Sequence, residues 1–382
     1  MRFPSIARCA PLLIASILVA SAATGAAAQS PAPVLRGRVV AANGASVAGV
    51  RVAVRSGLLA DTATVDSSGA FAIPVPAGRG AVEVRAAVDS ASAAAFYPAL
   101  GMVRREDVGE EQGFVLVPRV WAITAGRYAG QPVEIDLARA FRPACGDCSG
   151  FFRFRGGRLT STRGRTLTWP AQQLPVRVAF DRDREGGPQL GARDSAAFWT
   201  AAAALEAALG ERLFRASSYP DALPRDETPG DVVLVRADPT LHDAGLTTVV
   251  SGEDGISYAA VRFQTAALFT ERGGDVVSHE MLHSVGIGHT CSWRSVMAPA
   301  GCPGQRTDVA TPQDVAHVQL LLRMGELQRD PGLRWGMEEA LDAAGIPRPA
   351  TPPTLRQASM RHAIEGPFPG PTRLRIIIPH GT

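Results

Sequence analysis

Residues 279–289 read HEMLHSVGIGH, which brings three imidazoles, one carboxylate and a glycine into a single short run. On a helix the i, i+4 spacing puts His279 and His283 on one face a turn apart, so both can reach the same ion. Glu280 projects beside them. Adjoining His279, it is suited to act as general base over a metal-bound water rather than as third ligand. Gly286 tolerates positive φ, so the helix can end there and the chain can double back to bring His289 in from another direction. Three neutral nitrogens then hold one zinc ion and leave its fourth position open, the arrangement that separates catalytic zinc from closed structural sites. A bare HExxH also arises by chance, but the glycine and third histidine at fixed offsets make this pattern specific.

Met297 follows in the run Ser295-Val296-Met297-Ala298-Pro299. The whole pattern, HExxHxxGxxH and then a methionine, resembles the metzincin family of zinc endopeptidases. The short interval from His289 to Met297, with no tyrosine after the methionine, is most similar to the matrixin branch. The resemblance implies an α+β catalytic domain: a twisted mixed sheet, an active-site helix, a Met-turn and a closing C-terminal helix. It also implies that Met297 forms the hydrophobic floor beneath the ligands, a placement close to that of any core methionine. The implied activity is that of a metalloendopeptidase, cutting internal bonds of a protein or peptide substrate with a zinc-activated water and Glu280 as base. One catalytic zinc is expected, and the sequence does not decide whether calcium binds. Two other readings stay open. One is an exported binding or adhesion protein with a vestigial zinc centre; the retained Glu280 weighs against it. The other is a zinc exopeptidase or amide hydrolase, which an open strand edge beside the cleft disfavours.

The elements that must position this run are expected within residues 174–328, the catalytic domain. Residues 174–180 alternate as a strand, and 196–209 read as an Ala-rich helix that buries Phe198, Leu205 and Leu209. Strands follow at 231–236 and 255–263, and the zinc helix starts at Gly274 or Asp275. By resemblance, 255–263 includes the edge strand that pairs with substrate backbone. Thr311, Pro312 and Asp314 open the closing helix as N-cap, first helical residue and third-position acid. Asp314 serves as a capping box or as a partner of the Met-turn backbone. His242 and His317 lack ligand spacing. Residues 329–382 are expected to form a C-terminal helix, on the amphipathic stretch 332–344, and a Pro-rich tail, with a Pro-rich tract at 347–353 and a final strand at 374–378.

Upstream, residues 34–117 carry short alternating runs broken by turn signals, as an all-β sandwich requires. The best strands are 35–40, 49–54, 70–75 and 81–86. The order of the G-x-V, A-G-V-x-V, D-S-S-G-x-F and P-x-P-A-G-x runs resembles the carboxypeptidase regulatory-like, transthyretin-like sandwich. Such a module either positions the enzyme on substrate or acts as a spacer. Residues 118–170 form a connecting or prosegment-like region with short strands at 121–123, 133–135 and 151–154.

Residues 1–28 read as a secretory signal, with Arg2 and Arg8 before an apolar core and Ala26-Ala27-Ala28 at the cleavage site. The chain is therefore expected to be exported, to the periplasm or the medium, with no stable membrane insertion. Every basic residue is arginine, a bias expected of a GC-rich bacterial genome. Removing Arg2 and Arg8 from the 39 basic residues leaves 37 against 36 acidic ones, interspersed along the chain. Nucleic acid is excluded as a partner on that balance; oligomeric state is left open.

The remaining cysteines, Cys145, Cys148, Cys291 and Cys302, are even in number, which suits two disulfides in an exported chain. Cys291 and Cys302 flank Met297, and a bond between them would stabilise that loop by roughly 2–4 kcal/mol. Cys145 and Cys148 read as a tight local disulfide, as half of a second metal site or as a redox pair. By resemblance to the matrixin propeptide, Cys145 also stands as a latency thiol for the open zinc position, although the chain lacks that motif's arginine before the cysteine and its spacing after the glycine.

Overall fold

The computed structural model describes residues 32–137, 165–180, 190–217, 231–242, 244–252, 255–264, 274–290, 293–298, 306–327, 329–330 and 332–334, residue 345, and short strands at 153–155, 158–159 and 374–378. All of these but Ala32 belong to one compact unit, Pro33–Thr382. It is mixed α/β, with several sheets and few helices. The expected signal segment lies outside the described residues. Among the described residues no helix is long and apolar enough to cross a membrane.

The first eight strands are β1 (Val34–Ala41), β2 (Arg51–Ser56), β3 (Leu59–Thr64), β4 (Ala70–Pro74), β5 (Val82–Ala86), β6 (Phe96–Tyr97), β7 (Ala99–Val103) and β8 (Gln112–Pro118). A short helix, α1 (Ser90–Ala95), precedes β6, with the Asp89 carboxylate accepting from the Ser92 amide at its start. One sheet has the order β8-β1-β4, with β6 also on β8; the other runs β3-β2-β5-β7. Leu35, Val39, Val52, Val54, Phe71, Ile73, Val82, Val84, Phe114 and Leu116 fill the space between them. Period-two burial along β1, β2 and β5 supplies that face.

β8 departs from this rule, being buried along its whole length. Phe114 and Leu116 point into the sandwich core. Val115 and Val117, on its other face, join the apolar cluster that surrounds the histidine run.

The segment after β8 enters that second cluster too. β9 (Val120–Ala122) and β10 (Pro132–Glu134) pair as a hairpin, and Trp121, Ile123, Val133, Ile135 and Leu137 are buried in the same cluster as Val276, Val277, Met281 and Leu282. Gln319 ties the hairpin in place. Its Oε1 accepts from Trp121 Nε1 at 3.0 Å and from the Thr124 amide at 3.1 Å, and its Nε2 donates to the Leu209 carbonyl at 3.0 Å. β11 (Arg153–Arg155), β12 (Arg158–Leu159) and β13 (Arg165–Thr166) form a small three-stranded sheet with β11 in its centre.

The main sheet contains β14 (Val176–Phe180), β15 (Phe214–Ala216), β16 (Val232–Ala237), β17 (Gly245–Gly252) and β18 (Gly255–Phe263). β19 (Leu333–Arg334), at the start of the stretch expected as a C-terminal helix, is instead a strand that pairs with β8 of the sandwich, while β20 (Leu374–Ile378) completes the main sheet. Its order is β15-β14-β16-β18-β17-β20, parallel through β18 and antiparallel beyond. Residues 255–263 were expected to contain the edge strand. They lie inside the sheet, and the antiparallel strand beyond them is β17. The sequence of β17 shows no alternation because Leu246 to Ser251 are buried on both faces, so periodicity had nothing to reveal.

Helix α2 (Ala192–Leu209) starts four residues before its expected Ala196. Asp194 Oδ2 accepts from the Gly191 amide at 2.8 Å and caps the extra turn. Two further α-helices among the described residues are α3 (Gly274–Ser284), which carries His279, Glu280 and His283, and α4 (Pro312–Leu327).

Candidate metal centre

α3 ends as the sequence requires. The Ile287 amide donates to the Leu282 carbonyl at 3.1 Å and the Gly286 amide to the His283 carbonyl at 3.0 Å, a Schellman closure with Gly286 at φ 106°. Glycine is needed here for a second reason. A Cβ at this position would lie 2.0 Å from the Leu167 carbonyl oxygen, so the strand leading into Trp169 passes against the bend. Trp169 Nε1 then donates to the Ser284 carbonyl at 2.7 Å and closes the other side of the helix end.

The turn delivers His289 to the two helical histidines. All three are buried, and their Nε2 atoms stand 3.0–3.1 Å from one another. His279 Nδ1 lies 2.6 Å from the Val296 carbonyl and His283 Nδ1 lies 2.7 Å from the Ile287 carbonyl. A carbonyl only accepts, so each Nδ1 carries the proton and each Nε2 presents a lone pair to the centre. A tetrahedral ion with Zn–N about 2.0–2.1 Å sets its nitrogen ligands about 3.3 Å apart, close to this triangle. The donor set therefore fits a metal ion, and these are the residues that would hold it.

Glu280 is fully buried on the same helix. Thr247 of β17 donates its hydroxyl to Glu280 Oε2 at 2.6 Å, and that hydroxyl is also 3.1 Å from the Glu280 carbonyl oxygen. Gly245 begins β17 directly against the carboxylate: a Cβ there would sit 2.5 Å from Glu280 Oε1. Neither contact is visible in the sequence, where Gly245 and Thr247 belong to no motif. The one available signal was the pair of small residues bracketing Leu246.

The turn around Met297 is held by Asp314. Its Oδ2 accepts from the Val296 amide at 3.2 Å and from the Thr311 amide at 2.9 Å, and its Oδ1 accepts from the Ser295 hydroxyl. Of the two roles open to Asp314, it fills both. Met297 itself is buried in the main cluster, to which Met281 and Leu282 also belong, and its carbonyl accepts from the Thr290 amide at 3.1 Å. Val296 joins the two systems, with its amide on Asp314 and its carbonyl on His279.

His317 stacks on Trp293 at 4.5 Å, and burial holds its imidazole below the ordinary 6.5. His242 is exposed. Neither joins the histidine cluster. Cys145, Cys148, Cys291 and Cys302 lie outside the described residues.

No protein-family model matches the chain, and no curated protein matches it. Among solved structures it is similar to an inactive mutant of the GH20 exo-β-N-acetylglucosaminidase from Vibrio harveyi, at 11% identity. The match covers 65% of this chain and 37% of that one, with a TM-score of 0.20. An overlap that loose carries no argument about fold or activity.

Proposed function

We propose that the protein is a zinc-dependent endopeptidase of the metzincin, matrixin-like type, exported and acting on internal bonds of extended polypeptides. The observation that carries this reading is the convergence of His279, His283 and His289 with Glu280 buried one residue from the first of them. When bound there, zinc would supply Lewis acidity toward a scissile carbonyl and toward water. His279 and His283 hold their tautomers through the Val296 and Ile287 carbonyls, so the centre needs no rearrangement to accept the ion. Glu280 takes the proton of the attacking water and passes it to the leaving amine. Thr247 fixes the carboxylate for that task.

The test compares metal-loaded wild type with Glu280→Ala on unfolded casein, reading products by mass spectrometry with and without chelator. Internal cuts made only by the metal-loaded wild type are expected. Bound zinc with no cuts across varied substrates would overturn the reading in favour of a binding protein, and cuts confined to chain ends would make it an exopeptidase.

A further inference from the structure

β17 is the strand that lies against Glu280, and its outer edge is where an extended peptide would be laid past the carboxylate. An open strand edge of this kind presents unpaired backbone groups and recruits a further strand. In this structure the position is filled. β20 pairs antiparallel along it, with Thr247 opposite Ile378, Thr248 opposite Ile377, Val249 opposite Ile376, Val250 opposite Arg375 and Ser251 opposite Leu374. The end of β20 therefore stands opposite Thr247, the residue that bonds the Glu280 carboxylate. The segment Leu-Arg-Ile-Ile-Ile suits the place, since β-branched residues favour strands.

We infer that β20 is an internal competitor for substrate: the chain lays its own residues 374–378 on the peptide-pairing edge of β17, and the cleft becomes available when that strand lifts. This rests on the endopeptidase reading for the identity of the displaced ligand, but strand competition is measurable without catalysis. If β20 is docked for all but a fraction f of the time, the apparent affinity for a competing peptide falls by that fraction. Occupancies of about 90–99% correspond to affinities weakened by about 10–100-fold.

The experiment uses the full chain, zinc-loaded and carrying Glu280→Ala so that nothing is cut. Ile376→Pro and Ile377→Pro are compared with the unsubstituted strand. Proline removes a backbone donor, and because adjacent residues in a strand point their amides in opposite directions, one of the two variants loses a bond to β17. The probe is a dye-labelled peptide copying residues 372–380. One proline variant is expected to bind it at least about tenfold tighter, with faster hydrogen exchange at the amides of residues 247–251 when the peptide is absent. Equal affinities, including no binding by any form, overturn the inference; so does a fall in melting temperature without a gain in affinity, which would make β20 an ordinary edge strand. Casein cleavage by the same variants with Glu280 restored separates the two ideas. Faster cleavage by the proline variant supports both. Tighter peptide binding with no cleavage by any form leaves the competitor strand standing and removes the endopeptidase reading.

Discussion

Two buried polar clusters sit on either side of Val296, and they are built on opposite principles. Around Asp314, acceptor oxygens meet donors: the Ser295 hydroxyl, the Val296 and Thr311 amides, and Trp293 Nε1 at 3.4 Å. That cluster satisfies itself and needs nothing from outside. Around His279, His283 and His289, three like nitrogens face one another at 3.0–3.1 Å. Burying like with like is unfavourable unless a cation joins them. The difference separates a fastening from a binding site without reference to any relative.

The comparison breaks most visibly if His283→Ala still binds zinc. The expected result is loss of the ion by elemental analysis, proteolysis at background, and a melting temperature in zinc no higher than in chelator, whereas zinc raises that of wild type. Asp314→Ala should act on stability instead. It strands several buried donors and is expected to cost about 3 kcal/mol by denaturant titration, with zinc content close to one ion per chain under folding conditions. A variant as stable as wild type would show that the cluster fastens nothing.

Thr247→Val sharpens the functional side. It removes the hydroxyl on Glu280 while keeping the branched shape, so kcat should fall about tenfold with zinc content and KM little changed. The smallest effect concerns His317. Its folded form resists protonation, so the unfolded chain binds the proton more readily in the window below 6.5. Its contribution is present above that value and is lost as pH falls through the window. His317→Phe should flatten the acid side of the melting-temperature profile relative to wild type, measured in chelator.

The histidine helix, its glycine stop and the Thr311–Asp314 cap were all legible, because each depends on local backbone chemistry written within a few residues. The sandwich strands β1, β2, β4 and β5 were legible through alternation. β17 was not, because burial on both faces erases the period. For the same reason nothing marked β8 as shared between two cores. Residues 118–170 read as a connecting or prosegment-like region, and within it Trp121, Ile123, Val133, Ile135 and Leu137 join the apolar cluster of the histidine helix; their long-range partner Gln319 leaves no local trace in the sequence. Thr247 and Gly245 gained their meaning from Glu280, which lies beyond β18 in the chain.

β8 has a consequence for how the molecule comes apart. Its alternate residues belong to different interiors, so melting either one tears a wall from the other. Cleaving the chain just after Pro118 would leave an oily stripe, Val115 and Val117, on the amino-terminal piece and a matching gap on the rest. Heating should therefore give a single calorimetric transition for the sandwich and the histidine-helix region, the two surviving or failing together.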